Sequence, residues 1–176
     1  MNKLFILNEY APQSRGVEIG VWKGEFSKAI VDKVNPSALY LCDPWRFFPQ
    51  YSDRWYGGTL ARSQADMDVI YREVVDMFKE NPSVRVVRDF SDNLFGYIEK
   101  NSLDWTYIDG NHSYEFVLRD LEISRDLIKP GGMITGDDYE EGNDIERAVS
   151  DFIFKYSGNI DSGYIRDRQF IIKFKP

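Results

Sequence analysis

The sequence predicts an α/β fold: a doubly wound, mostly parallel sheet in one domain, closed by a C-terminal antiparallel hairpin. Three observations predict it. Short apolar runs alternate with segments of helical spacing from Gly16 onward. The apolar runs end in acids at Cys42-Asp43, Ile108-Asp109 and Gly136-Asp137-Asp138; ligands sit outside the carboxyl ends of parallel strands. The final stretch reads as two strand-like runs around Asp167-Arg168. With 176 residues the chain is long enough for one cored domain and too short for two ordinary ones. The expected division is an N-terminal segment, 1–14, and a domain, 15–176.

The elements follow in order. Residues 16–20 form a short strand ending in glycine, and 24–31 a helix with Phe26, Ala29 and Ile30 on one face. Residues 38–42 are a buried strand. Residues 44–58, rich in proline, glycine and aromatics, are a loop insertion. Residues 59–80 predict a long amphipathic helix with Met67, Ile70, Val74, Met77 and Phe78 inward, stopped by Asn81-Pro82. A third strand spans 84–87, and Ser91 or Asp92 is expected to cap a short helix after it. A fourth strand spans 103–109. A helix opened by Ser113 carries Phe116, Val117, Leu121, Ile123 and Ile128, and Lys129-Pro130-Gly131-Gly132 ends it. A fifth strand spans 133–136. A helix over 143–156 turns Ile145, Ala148, Val149, Phe152 and Ile153 inward, before the terminal hairpin over 163–174.

Composition narrows the function. A net charge of −7 disfavours a general nucleic-acid binder, which needs a basic face for phosphates. Cys42 is the only cysteine, so neither a disulfide framework nor a cysteine zinc cluster is available. No apolar run approaches the roughly 20 residues that span a bilayer, and the start lacks a signal-peptide pattern. A cytoplasmic protein is expected.

Two groups of residues carry chemistry. Glu18-Ile19-Gly20-Val21-Trp22-Lys23-Gly24 lies between the first strand and helix. Its Gly-x-x-x-Gly spacing is not the dinucleotide fingerprint, which disfavours a nicotinamide dehydrogenase. Asp43, at the end of the second strand, is positioned to accept ribose hydroxyls. Trp45 or Phe90 has the ring to stack on a nucleobase, with simple packing as the alternative. The second group is Asp109, His112, Asp137 and Asp138. Crowded carboxylates repel one another and call for a cation or protons. Histidine changes charge near neutral pH, so His112, the only histidine, is a candidate base. Two blander roles stand beside these: Asp109 as a capping acid, and Asp137-Asp138 as a solvated pair. Asp104 and Asp144 read as surface or capping residues. Arg46 and Arg54, among Trp45, Phe47, Phe48, Tyr51, Trp55 and Tyr56, read as an acceptor wall or as a dimer contact.

Taken together, Val17–Gly24, Asp43-Pro44-Trp45, Tyr107–Tyr114 and Leu127–Gly132 resemble the motifs of class I S-adenosylmethionine-dependent methyltransferases, whose sheet is Rossmann-like. The resemblance is greatest to the metal-dependent O-methyltransferases of the macrocin type, and more distant to catechol O-methyltransferases. It implies that Glu18, Gly20 and Gly24 cradle the methionine part of the cofactor. It also implies that Asp43 binds the ribose and that Asp89 and Phe90 lie at the adenine, with Trp22, Trp45 and Asp109 in the same cofactor pocket. It implies Asp109, Asp137 and Asp138 as ligands of a divalent cation, magnesium first, with His112 and Asp109 catalytic. The implied partner is a small hydroxylated acceptor such as a sugar or polyol-bearing molecule, without nucleic acid or membrane; a homodimer is open. Two other functions stay open: a metal-independent N- or carboxyl-methyltransferase, and a non-catalytic nucleoside-binding module.

Overall fold

A computed structural model describes residues 3–176; the first two residues of the N-terminal segment lie outside the described residues. Seven strands form one sheet: β1 (Arg15–Ile19), β2 (Ala38–Cys42), β3 (Val84–Val87), β4 (Leu103–Ile108), β5 (Ile128–Gly136), β6 (Ile160–Arg166) and β7 (Gln169–Phe174). Their order is β3-β2-β1-β4-β5-β7-β6. The first five are parallel, while β7 pairs antiparallel with both β5 and β6. Four helices connect them: α1 (Glu25–Val34), α2 (Gln64–Phe78), α3 (Tyr114–Leu127) and α4 (Asp144–Tyr156). The doubly wound sheet with its terminal hairpin is the expected fold. No described helix is long and apolar enough to cross a membrane.

The inner strands of the sheet are covered on both faces and read as apolar runs, while the edge strand β6 is largely exposed. Val17, Ile108 and Ile134 join Leu121, Val149 and Phe152 in one core. Leu39, Leu41, Trp105 and Tyr107 join Ile30, Met67 and Val74 in the other. The N-terminal segment belongs to this second core. Phe5, Ile6, Leu7 and Tyr10 are buried, and Tyr10 stacks flat on Trp105 at 4.1 Å. The segment therefore packs on the sheet and adds to its core.

Local chemistry corrects several expected boundaries. The helix expected over 59–80 starts at Gln64, because the Ser63 side chain accepts the Asp66 amide and caps it. Residues Trp55–Thr59 form a separate wide turn, and Met77, expected inward, is 45 % exposed. Residues Ser91–Gly96 make a 3-10 turn in which Phe90, not Ser91 or Asp92, holds the cap position. Ser113 precedes α3 without a side-chain cap bond; it is itself held by Asn111, whose Oδ1 accepts its amide and hydroxyl. Lys129-Pro130-Gly131-Gly132 is absorbed into β5. Ile128 already pairs with Leu103, and the register then shifts before Met133 meets Trp105. Asn143 caps α4 by accepting the Glu146 amide at 2.8 Å. Asp167 and Arg168 both take positive φ, 50° and 65°, as a two-residue hairpin turn matched to strand twist requires.

Candidate functional site

The strand order reverses beside β1, so a crevice opens where β1 and β4 leave the sheet. The loop 20–24 forms one wall. Gly20 has φ 89°, and a Cβ there would lie 2.2 Å from the Asp109 carbonyl oxygen. Its amide donates to the Cys42 carbonyl at 2.9 Å, and the Asp109 amide donates to Ile19 at 2.7 Å. The backbone at the end of β4 thus fills the space that a side chain at Gly20 would need. Gly24, φ 76°, opens α1 with ordinary clearance to Val74 and Phe78. Glu18 is 2 % exposed and accepts from the Ser27 hydroxyl at 2.5 Å, which ties β1 to α1 beneath the loop.

Asp43 organises this loop from below. One carboxylate oxygen accepts the Val21 and Trp22 amides, both at 3.0 Å, and the other accepts the Trp45 amide at 2.7 Å. A carboxylate has about four acceptor sites. Three of them are taken by the loop's own amides. Burial holds its carboxyl above the ordinary value, against the pull of the amides of Trp22, Trp45 and Val21. Trp45 is corrected outright. It is 0 % exposed and its Nε1 donates to the Trp22 carbonyl at 2.8 Å, so its ring is core. Trp22 remains at the surface of the loop, 5.8 Å from the ring of Trp55, which is 59 % exposed.

Beyond β3, Asp89 turns into its own chain. It accepts from Asn93, Phe90 and Tyr97, and the Asn93 bond foremost holds its carboxyl below the usual range. Phe90 is partly exposed and meets Phe48 edge-on at 6.3 Å. An open cavity of about 540 Å³ lies against Asp89, Asn93, Phe95 and Tyr97.

Asp120 was not singled out from the sequence. It shares a helical face with Val117, Leu121 and Ser124, all buried, and an acid at that spacing on an apolar face is the signal that would have found it. It is 5 % exposed and accepts from the Ser91 hydroxyl at 2.5 Å. Burial pushes its carboxyl up to about 7. A raised folded-state value means that the folded protein holds the proton more tightly than the unfolded chain. Stability therefore falls as pH rises from about 4 to 7 and levels off above. Asp120→Asn removes that loss. Urea unfolding should find the variant more stable than wild type at pH 8, by at most about 4 kcal/mol at 1.36 kcal/mol per pH unit, and close to wild type at pH 4.

The strand ends of β4 and β5 carry the acidic constellation. One atom each from Asp109, His112 and Asp138 lie within 4.8 Å of one another. His112 Nε2 is 3.8 Å from Asp109 Oδ1 and 3.6 Å from Asp138 Oδ2. Asp137 lines the same narrow cleft, with Asp109, His112, Ile145 and Phe170, but stands outside this group. Successive side chains at a strand end diverge, and Asp138 takes a left-handed φ of 57°. The trio brought together is thus Asp109, His112 and Asp138, with Asp137 beside it in the same cleft. Burial and then Asp137 push the Asp138 carboxyl up, while His112 and Arg168 oppose them.

Arg168 was read from the sequence only as a residue of the hairpin turn. It sits at the β6–β7 turn, far along the chain, and only the fold brings it here. Its guanidinium lies 2.7 Å from Asp138 Oδ1 and 2.9 Å from Glu140, and its carbonyl accepts the Tyr139 amide. The second Asp138 oxygen is the one facing His112. Two carboxylates, one steadied by an outer partner, offer oxygen donors that fit a divalent cation, with the imidazole beside them.

Comparison with known proteins bears on the family and the fold. A family model described as a methyltransferase domain matches residues 17–139. No curated protein matches the chain. The O-methyltransferase NovP superposes with a TM-score of 0.72 at 17% identity, over 99% of this chain and 80% of that one. M. jannaschii TYW2, in complex with AdoMet, gives 0.63 at 12% identity over 99% and 74%. Aeropyrum pernix fibrillarin, with natively bound S-adenosyl-L-methionine, gives 0.60 at 12% over 93% and 67%.

Proposed function

Because the chain belongs to the methyltransferase-domain family, we propose that it transfers the methyl group of S-adenosylmethionine to a hydroxyl of a small molecule, with a divalent cation and His112 at one pocket. The observation that carries this reading is the convergence of Asp109, His112 and Asp138 beside the loop that follows β1. S-adenosylmethionine supplies an electrophilic methyl on a sulfonium, and the cation supplies Lewis acidity to the acceptor hydroxyl.

The chain's own residues do the rest. Val21 and Trp22, fixed by Asp43, hold the cofactor-side loop in one shape, so that the reactants meet in a set geometry. Asp109 and Asp138 are the proposed metal ligands, and Arg168 steadies Asp138 from outside. Magnesium suits a site of carboxylates and water that leaves the imidazole free. His112 then takes the hydroxyl proton at Nε2. An imidazole that ligates the ion cannot serve as base, because both roles use the same lone pair. Trp55, exposed beside Trp22, is proposed as part of the acceptor wall.

The test is transfer of labelled methyl from S-adenosylmethionine to a panel of hydroxylated acceptors, with and without chelator. Transfer should vanish in chelator and return with magnesium. Full transfer in chelator would remove the metal from the reading. One observation favours a second reading: Asp138 is already paired with Arg168. Its negative charge is thereby partly met, as a metal-independent N- or carboxyl-methyltransferase requires. Label on nitrogen or carboxyl oxygen would decide for it.

A further inference from the structure

A buried acid without a cation against it is costly, because the charged form loses its hydration. Asp120 is such a group. It projects from the second turn of α3 toward two loops at once. One oxygen accepts from Ser91, the residue after Phe90. The other lies 3.6 Å from where a Cβ on Gly110, the residue after Asp109, would sit. The groups facing it are the Ser91 hydroxyl, the Cys42 thiol and Asp92, together with Arg119, whose guanidinium is spent on Asp92 at 3.1 Å. A leucine or asparagine at this helical position would cost the fold less. Departures from local fitness of this kind concentrate where function needs them.

We propose that Asp120 is a positioning residue for the nucleoside half of the cofactor: from α3 it holds Ser91, at the start of the segment after β3, while packing beside Gly110 in the loop after β4, so that the ligand meets one preformed wall. This rests on the proposed cofactor, whose adenine contacts are assigned to Asp89 and Phe90. Without Asp120, Ser91 and Gly110 belong to separate loops, and binding must order them at a cost to affinity. A nucleoside lying over the two loops also removes the last water from Asp120. The bound state then favours the protonated carboxyl, and affinity falls as pH rises past about 7.

The experiment is calorimetric titration of the full chain with S-adenosylhomocysteine at pH 6 and pH 8, after thermal unfolding has shown each variant folded. Asp120→Ala and Ser91→Ala should each weaken binding about tenfold at pH 6, the loss expected of one hydrogen bond to an acid. The double variant should be no weaker than either. Asp120→Asn accepts from Ser91 through its amide oxygen. It should restore the affinity and abolish the loss that wild type shows between pH 6 and pH 8. A purely structural role would move the melting temperature and leave these affinities alone. Wild-type affinity in folded Asp120→Ala and in Ser91→Ala overturns the proposal; if Asp120→Ala does not fold, wild-type affinity in Ser91→Ala does so by itself. No binding by wild type would remove the cofactor itself, and the role of Asp120 with it.

Discussion

Replacing His112 with alanine is expected to lower kcat on the order of 10²–10⁴-fold, the usual worth of a positioned acid or base, while S-adenosylhomocysteine binds as in wild type. The reason is placement. His112 follows β4 by four residues, so the loop carries it over the crevice, where its side chain is 32% exposed and Nε2 faces one oxygen of each of two acids. Neither separation is a hydrogen bond, at 3.8 and 3.6 Å, so the ring is poised among acids without being locked by either. A base needs that freedom. A ligand would need the three atoms drawn closer around one ion. Manganese titration of the same variant separates the two uses. Retained manganese affinity with lost turnover assigns the base; lost affinity assigns a ligand. Turnover within a few-fold of wild type would remove His112 from the chemistry altogether.

Strand positions were legible in the sequence because the inner strands are covered on both faces, so each of them is an apolar run bounded by turn residues. The same pattern located Asp43, Asp109 and Asp138, since a ligand edge requires polar groups just past those runs. Side-chain direction was not legible. Asp43 faces the loop amides and Asp89 its own turn, and nothing in the spacing of either acid distinguishes a ligand from a backbone partner. Trp45 carries the composition of a stacking residue, yet a positive φ of 39° turns its indole under the loop. Asp137 and Asp138 are adjacent and identical in type, and only the local backbone decides which faces His112. Arg168 enters from a hairpin thirty positions after Asp138, a contact set by the antiparallel pairing of β5 and β7. Asp120 was the most readable omission, because its helical period is that of the buried face.

Gly20→Ala is expected to destabilise the fold by roughly 2–6 kcal/mol, a large part of the 5–15 kcal/mol typical of a domain. Two costs add. At φ 89° an L residue is strained, by about 1–3 kcal/mol. The new Cβ would also meet the Asp109 carbonyl oxygen at 2.2 Å, its carbon at 2.4 Å and Gly110 Cα at 2.6 Å. These are backbone atoms with no rotamer to escape to, and overpacking of this kind costs about 1–3 kcal/mol more. Gly24→Ala is the control. Its φ is 76°, but its nearest neighbours are side chains at 3.4 Å and beyond, so only the strain remains and the loss should be about 1–2 kcal/mol. Urea unfolding of the two variants measures the difference; a Gly20→Ala loss no larger than that of Gly24→Ala would show that the two strand ends are less tightly apposed. The clash is relieved by parting the ends of β1 and β4, which displaces Asp109 and the loop that carries His112 relative to residues 20–24. A folded Gly20→Ala protein should therefore bind manganese more weakly even though no proposed ligand has changed. The glycine after β1 thus serves the site through the backbone of β4: it lets two strand ends lie side by side, and that closeness brings the cofactor loop and the acidic cluster to one pocket.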